Sequence, residues 1–296
     1  MKKMHIMLGA LFIACAAHAT LIAYEPFQYK EGNGESLNGE GTGIGWGSFW
    51  NIDPPLNAPE TVFSMYFTRH SYNGLDFSYA DTNGVAVPNS GNVYLRFMDS
   101  RWPAGHYGTP WWYSAFADRS FAETHYVDVN ESIWFSIQAI QRSNQFWYPN
   151  SRQVYMTLLT PGTPWAIVGF DPSGNNTAQQ WGIWTPNLDD KIEFARAPQL
   201  TGADKAAFLV TRVTMLPSNK CEISLWVNPE DISSVEALGP PHVARTNVQT
   251  YGNEFYGFRL GVWIDRGLLC DEIRVGTTLR DVTLSNPFVG TLLIAK

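Results

Sequence analysis

Four pairs of residues in this chain repeat one chemical theme. Tyr94 and Arg96, Trp134 and Gln138, Glu222 and Trp226, and Arg259 and Trp263 sit two or four positions apart within strand-like runs. That spacing puts both members of a pair on one face of a strand. Rings that stack, beside amides and guanidinium groups that hydrogen-bond, suit polyhydroxylated ligands such as sugars. Trp102, Trp111, Trp112, Phe146, Trp147 and Tyr148, in turn-rich stretches, form a second such set. A competing reading packs all these aromatics beneath loops, because most large rings are buried.

Catalytic chemistry finds less to work with. Glycoside hydrolysis needs two carboxyl groups at a set separation across a sugar. Asp128 and Glu131 in YVDVNE, and Glu222 with Glu272 on separate strands, are the candidates, with ordinary solvated carboxylates as the alternative. His70, His106, His125 and His242 show no paired spacing and no nucleophile motif, so neither zinc nor a Ser-His-Asp triad is expected. DPSGNN (171–176) and NLDD (187–190) carry the loop oxygens that calcium takes. The same runs are Asx-turn sequences, so no cofactor is expected, calcium being the alternative.

These residues are positioned by short runs of period-2 alternation, the pattern of half-buried strands. They fall at 61–67, 75–79, 93–97, 133–139, 154–159, 165–170 and 179–184, then in KIEF, AAFLVTRVTM, EISLWV and EFYGFRLGVWI. Asn73-Gly74 is a hairpin-turn signal. No segment sustains a 3.6-residue apolar period; only DISSVEAL (231–238), after Pro229, reads as a helical turn or two. Two strands frame the rest, LIAYEPF (21–27) and CDEIRVGTT (270–278). In the second, Ile273 and Val275 face a core while Glu272 and Arg274 face outward, and the acidic Asp271 and Glu272 read as strand-surface groups rather than catalysts. Pairing of these two strands would close the chain on itself as an all-β, antiparallel, two-sheet jelly-roll sandwich. Between them, seven glycines lie from Gly32 to Gly47. This stretch lacks the lysine and following helix of a phosphate loop, and reads as a long loop crossing one end of the sandwich, plugged by Trp46, Phe49 and Trp50.

Lys2 and Lys3, the apolar run 6–17 and Ala17-His18-Ala19 have the form of an export signal ending at residue 19. Cys15 in FIAC offers a lipid-anchor alternative, ranked lower because Phe12 suits that motif poorly. Residues 20–296 show no linker-like shift in composition and read as a single domain. Loss of Lys2 and Lys3 moves the formal charge from −7 to −9, and an acidic chain without a basic cluster excludes nucleic acid as a partner. No run is long enough for a transmembrane helix, so export to the periplasm, cell surface or exterior is expected. Self-association is left open. Cys221 and Cys270 could pair in an exported protein, but alternation puts Cys221 with Ile223 and Leu225, and Cys270 with Glu272 and Arg274, on opposite faces. A disulfide is therefore disfavoured.

LIAYEPFQY, the Gly-rich loop ending in GWGSFW, WGIW, AAFLVTRVTM leading into ISLWVNP, and the closing DEIRVGTTLRDV together resemble laminin-G-like, concanavalin A-like jelly-roll domains of exported bacterial surface proteins. The resemblance spans nearly the whole of 20–296. It implies adjacent first and last strands. It implies no single activity, since the superfamily includes lectins, glycan-binding modules, hydrolases and lyases. Hydrolases of that kind place catalytic carboxylates as E-x-D-x-x-E; here Tyr126 stands in the leading position. Relatives often continue into a C-terminal sorting segment, whereas this sequence closes on NPFVGTLLIAK. The expectation is a non-catalytic module that binds glycan or extracellular matrix. A polysaccharide hydrolase or lyase and a structural surface or assembly protein are the alternatives.

Overall fold

The computed structural model describes residues 20–27, 33–36, 39, 41–53, 63–68, 79–87, 93–99, 114–142, 154–161, 167–170, 180–186, 192–196, 205–263 and 267–283. The strands are β1 (Leu21–Glu25), β2 (Asn33–Ser36), β3 (Asn51–Asp53), β4 (Phe63–Thr68), β5 (Tyr79–Ala80) and β6 (Ala86–Val87). They continue as β7 (Val93–Asp99), β8 (Ser114–Tyr126), β9 (Ser132–Arg142), β10 (Val154–Leu159), β11 (Ile167–Phe170) and β12 (Trp181–Pro186). The series closes with β13 (Ile192–Arg196), β14 (Ala206–Leu216), β15 (Lys220–Val227), β16 (Val243–Gln249), β17 (Glu254–Trp263) and β18 (Gly267–Gly276), followed by the short helix α1 (Leu279–Thr283).

Antiparallel pairing joins these into a nine-stranded sheet, β16-β15-β14-β9-β18-β7-β4-β2 with β1 also on β18, and a seven-stranded sheet, β13-β12-β11-β10-β17-β8-β3. A two-stranded hairpin, β5-β6, stands apart. The expected fold class is observed, and so is its closure: β1 pairs β18, from Leu21↔Gly276 to Glu25↔Ile273. One apolar set per strand meets between the sheets, including Ile133, Phe135 and Ile137 of β9, Leu209 and Val213 of β14, Met156 and Leu158 of β10, and Phe258 and Leu260 of β17.

Three residues of β18 depart from expectation. Asp271, Glu272 and Arg274, expected at the surface, are all 0% exposed. On one edge of β18, β7 pairs as far as Cys270↔Val93 and β1 takes over at Ile273↔Glu25. Opposite this handover the pairing with β9 shifts register between Asp271 and Arg274, and Glu272 adopts a φ of 55°, the signature of a bulge. The buried carboxylate of Glu272 accepts from the Tyr24 hydroxyl at 3.1 Å and from the Arg274 guanidinium at 3.0 Å, the partnering that burial of charge requires.

The same bulge corrects the cysteine argument. It moves Cys270 to the interior with Cys221. Both are nevertheless free thiols: β15 and β18 lie three strand spacings apart across β14 and β9, roughly 14 Å, beyond the reach of a disulfide.

The glycine-rich stretch threads between the sheets as a staple, bridging Tyr24↔Ile44 on β1 and Trp46↔Phe121 on β8. A Cβ on Gly43 would lie 1.9 Å from the Tyr24 carbonyl oxygen, and one on Gly45 1.8 Å from that of Ile22. At both positions φ is positive, so only glycine fits. Trp50 and the partly buried Trp46 plug the interior as expected; Phe49 does not, being 64% exposed. Beside them Arg119 forms a buried ion pair with Glu25, its guanidinium 4.7 Å above the Trp46 ring. Burial pushes that guanidinium down to about 10.

DISSVEAL makes one turn, Leu238 N–H donating to the Ser234 carbonyl. The helix that does form, α1, and the strands β8 beyond Phe116 and β16 were not marked by the alternation. The hairpin signal at Asn73-Gly74 lies outside the described residues.

Candidate functional site

The outward-facing pairs separate onto two different sheets. Trp134 of β9 and Trp226 of β15 project from the outer face of the nine-stranded sheet and stack on one another, centroids 5.9 Å apart at 19°. They are not accessible. With Phe208 and Val210 they form a second apolar core, roofed by Val87, Ile232, Leu238, Leu279 and Val282. Trp226 Nε1–H donates to the Gly239 carbonyl, and the Ser136 hydroxyl to that of Val282. Gln138, 1% exposed, is buried on the same strand. These three expected ligand contacts are packing residues, because two tryptophans on one sheet face expose more apolar surface than water tolerates and acquire a roof. Arg212 closes the rim, 5.5 Å above Trp134 and 5.6 Å above Trp226, and reaches Glu222 at 3.4 Å. Glu222 and Glu272 do not meet. Tyr94 and Arg96 take backbone positions opposite Leu269 and Gly267 on the same sheet.

The outer face of the seven-stranded sheet is built differently. Register places one row across all seven strands, in the order Asp53, Phe116, Gly261, Tyr155, Gly169, Gly182 and Arg196. Three of the seven are glycine, two of them flanking Tyr155. A Cβ on Gly261 would fall 2.3–2.7 Å from three carbons of the Tyr155 ring, so that ring lies flat across β17 only because residue 261 has no side chain. Tyr155 is itself buried, 5% exposed, and the half-buried Phe116 lies beside it at 5.8 Å and 57°.

The neighbouring row carries the polar groups. Asn51, Asp118, Arg259 and Thr157 are paired in turn. Arg259 makes a two-pronged contact with Asp118, Nε to Oδ1 at 2.6 Å and Nη2 to Oδ2 at 2.5 Å, with the guanidinium 4.7 Å above Phe116. Their side chains are 18% and 20% exposed. Burial lowers the Arg259 guanidinium, but the Asp118 hydrogen bonds and charge outweigh it and hold the group above its ordinary value. Burial, opposed by Arg259 and aided by Asp118, pushes the Tyr155 phenol up. Farther along, the half-buried Trp184 pairs Phe194 across β12 and β13, and its Nε1–H has no partner among the described residues. Trp263, the other expected member of this face, pairs Ser114 by register.

Of the expected residues, then, Arg259 stands on this face, and Trp263 is described by its backbone pairing alone. Phe116, Asp118, Tyr155 and Trp184, none of them singled out from the sequence, join Arg259 there. The usable signal was glycine at outward positions of neighbouring strands, in GFRLGVW, IVGF and WGIW. Asp128 and Glu131 are exposed in a turn after β8, Glu131 N–H bonded to the Asp128 carbonyl. The loop aromatics at 102, 111, 112 and 146–148, His70, His106 and both calcium-type loops lie outside the described residues. No cluster of three metal-ligating side chains occurs among the described ones.

No protein-family model matches the chain, and no curated protein matches it. Among solved structures it is similar to the globular domain of T. cruzi calreticulin, at 12% identity and TM-score 0.47 over 88% of this chain and 89% of that one. It is also similar to an endo-1,3-β-glucanase from Streptomyces sioyaensis, at 11% and 0.46 over 88% and 96%. A third is an endo-β-1,4-glucuronan lyase from the fungus Trichoderma reesei, at 16% and 0.42 over 79% and 97%. At such identities and scores none of their activities transfers to this chain.

Proposed function

We propose that this protein is an exported, non-catalytic module that binds glycan on the outer face of its seven-stranded sheet. Residues 1–19 serve as its signal and 20–296 as one domain. The observation that carries the reading is the pair of rows: the half-buried Phe116 beside the glycine-flanked, buried Tyr155, edged by the part-exposed Asp118–Arg259 pair, with the half-buried Trp184 farther along. Flat apolar surface beside convergent hydrogen-bonding groups matches the two faces of a sugar ring. Binding is favoured over cleavage because Asp118 is committed to Arg259, while Asp128 and Glu131 sit in an exposed turn. No helix among the described residues is long and apolar enough to cross a membrane.

Affinity electrophoresis against a polysaccharide panel tests this. Phe116→Ala and Trp184→Ala each weaken retention about tenfold, as loss of a central aromatic contact does, while Tyr126→Ala, in the exposed part of β8, does not. Retention by no polysaccharide, or equal retention of all variants, would overturn the reading.

A further inference from the structure

Resting on that reading of the seven-stranded face, we propose that Asp118 sets its charge preference, reserving the surface for uncharged polysaccharide and turning away polyuronates and sulfated chains. Arg259 and Asp118 are direct cross-strand partners, so both side chains rise from the sheet side by side. The guanidinium meets the carboxylate fork to fork, through Nε and Nη2. Those two donors are the ones a ligand carboxylate or sulfate would take in the same planar geometry. Phe116 covers one flat side of the guanidinium. An incoming anion must therefore either displace Asp118, stranding a half-withdrawn carboxylate without its partner, or settle beside its negative charge. Both alternatives are unfavourable.

A hydroxyl group meets neither obstacle. The Asp118 oxygens retain acceptor capacity beyond the two bonds from Arg259, and Nη1 of Arg259 still has donors to offer among the described residues. The field of the whole chain points the same way: a formal charge of −7, or −9 without Lys2 and Lys3, repels polyanions at long range.

The test uses the exported chain, unmodified and as Asp118→Asn, titrated at one ionic strength with a neutral β-glucan, with polygalacturonate and with heparin. The unmodified protein is expected to bind the glucan at least about tenfold more tightly than either polyanion. Asp118→Asn, nearly the same shape but without the charge, frees the Arg259 fork; its affinity for polygalacturonate rises about tenfold, and the gain shrinks with added salt. Preference of the unmodified protein for a polyanion, or an unchanged ratio in a folded Asp118→Asn protein, overturns the charge assignment while leaving the binding surface standing. Binding of none of the three overturns both. If Asp118→Asn does not fold, the ratio measured on the unmodified protein decides the matter alone.

Discussion

On the nine-stranded sheet the outward positions hold Trp134, Trp226, Phe208 and Val210, and a roof of chain lies over them; on the seven-stranded sheet they hold Gly261, Gly169 and Gly182 around one flat tyrosine. The two faces show two uses of an outward strand position. Bulky rings create apolar area that folding must cover, so the β5–β6 hairpin, the 229–239 segment and α1 are recruited to cover it. Glycine adds no area to cover, so the neighbouring aromatics can lie down and polar side chains can stand at the rim. Aromatic content alone therefore does not tell the proposed binding face from a second core; the part-exposed polar pair of Asp118 and Arg259 beside Phe116 sets the two faces apart.

The contrast can be broken at its strongest point first. Trp226→Ala removes a 2% exposed indole and its bond to Gly239, and is expected to cost about 4 kcal/mol, read as a drop in the urea midpoint. Retained glycan binding by the folded fraction would show that the roofed face is structural only; selective loss of binding at unchanged stability would reverse the roles of the two faces.

Gly261→Ala attacks the other side. Its Cβ meets the Tyr155 ring, which must lift, costing about 1–2 kcal/mol by overpacking and weakening glycan retention more than its stability loss explains. An alanine accepted with no change in either quantity would mean that the flat tyrosine is not required.

A smaller effect sharpens the picture at the edge of the roofed face. His242 Nδ1 accepts from Val227 N–H at 2.9 Å, which demands an unprotonated nitrogen, and burial, only partly opposed by Glu230, lowers its pKa below the ordinary 6.5. His125 is lowered in the same sense by burial, with Glu123 opposing. The unfolded chain thus takes up protons first as pH falls through 6.5. Stability is full above that value, declines below it, and levels off once the folded-state pKa is passed. Denaturant midpoints for His242→Asn should decline less over this interval than those of the unmodified protein; identical slopes would remove His242 from the account.

Alternation made the fold legible because interior positions obey one rule along each strand: Ile273 and Val275, Ile223 and Leu225 all face where period 2 puts them. Pairing of β1 with β18 followed from the same pattern. The places where reading failed share a cause. One extra residue at the bulge of β18 changes the parity upstream of it, so Cys270 and the buried charges of Asp271 and Glu272 were assigned to the wrong surroundings. For the outward set the pattern says only that a side chain leaves the core. Which sheet it leaves, and whether more chain then covers it, depends on contacts such as Ser136 with Val282 or Tyr155 with Gly261, whose partners are far away in sequence or have no side chain to signal them.

The placement of β18 also governs timing. It lies between β9 on one edge and β7 and β1 on the other, yet it is the last strand of the described chain to be synthesised. Until residues 267–276 emerge, β1 has no partner strand and β9 has one edge unpaired. Loop closure across some 250 residues makes such an assembly slow. The molecule is thus expected to complete its fold only once β18 is in place, and a chain interrupted before β18 would present open strand edges to its neighbours rather than a smaller stable sandwich.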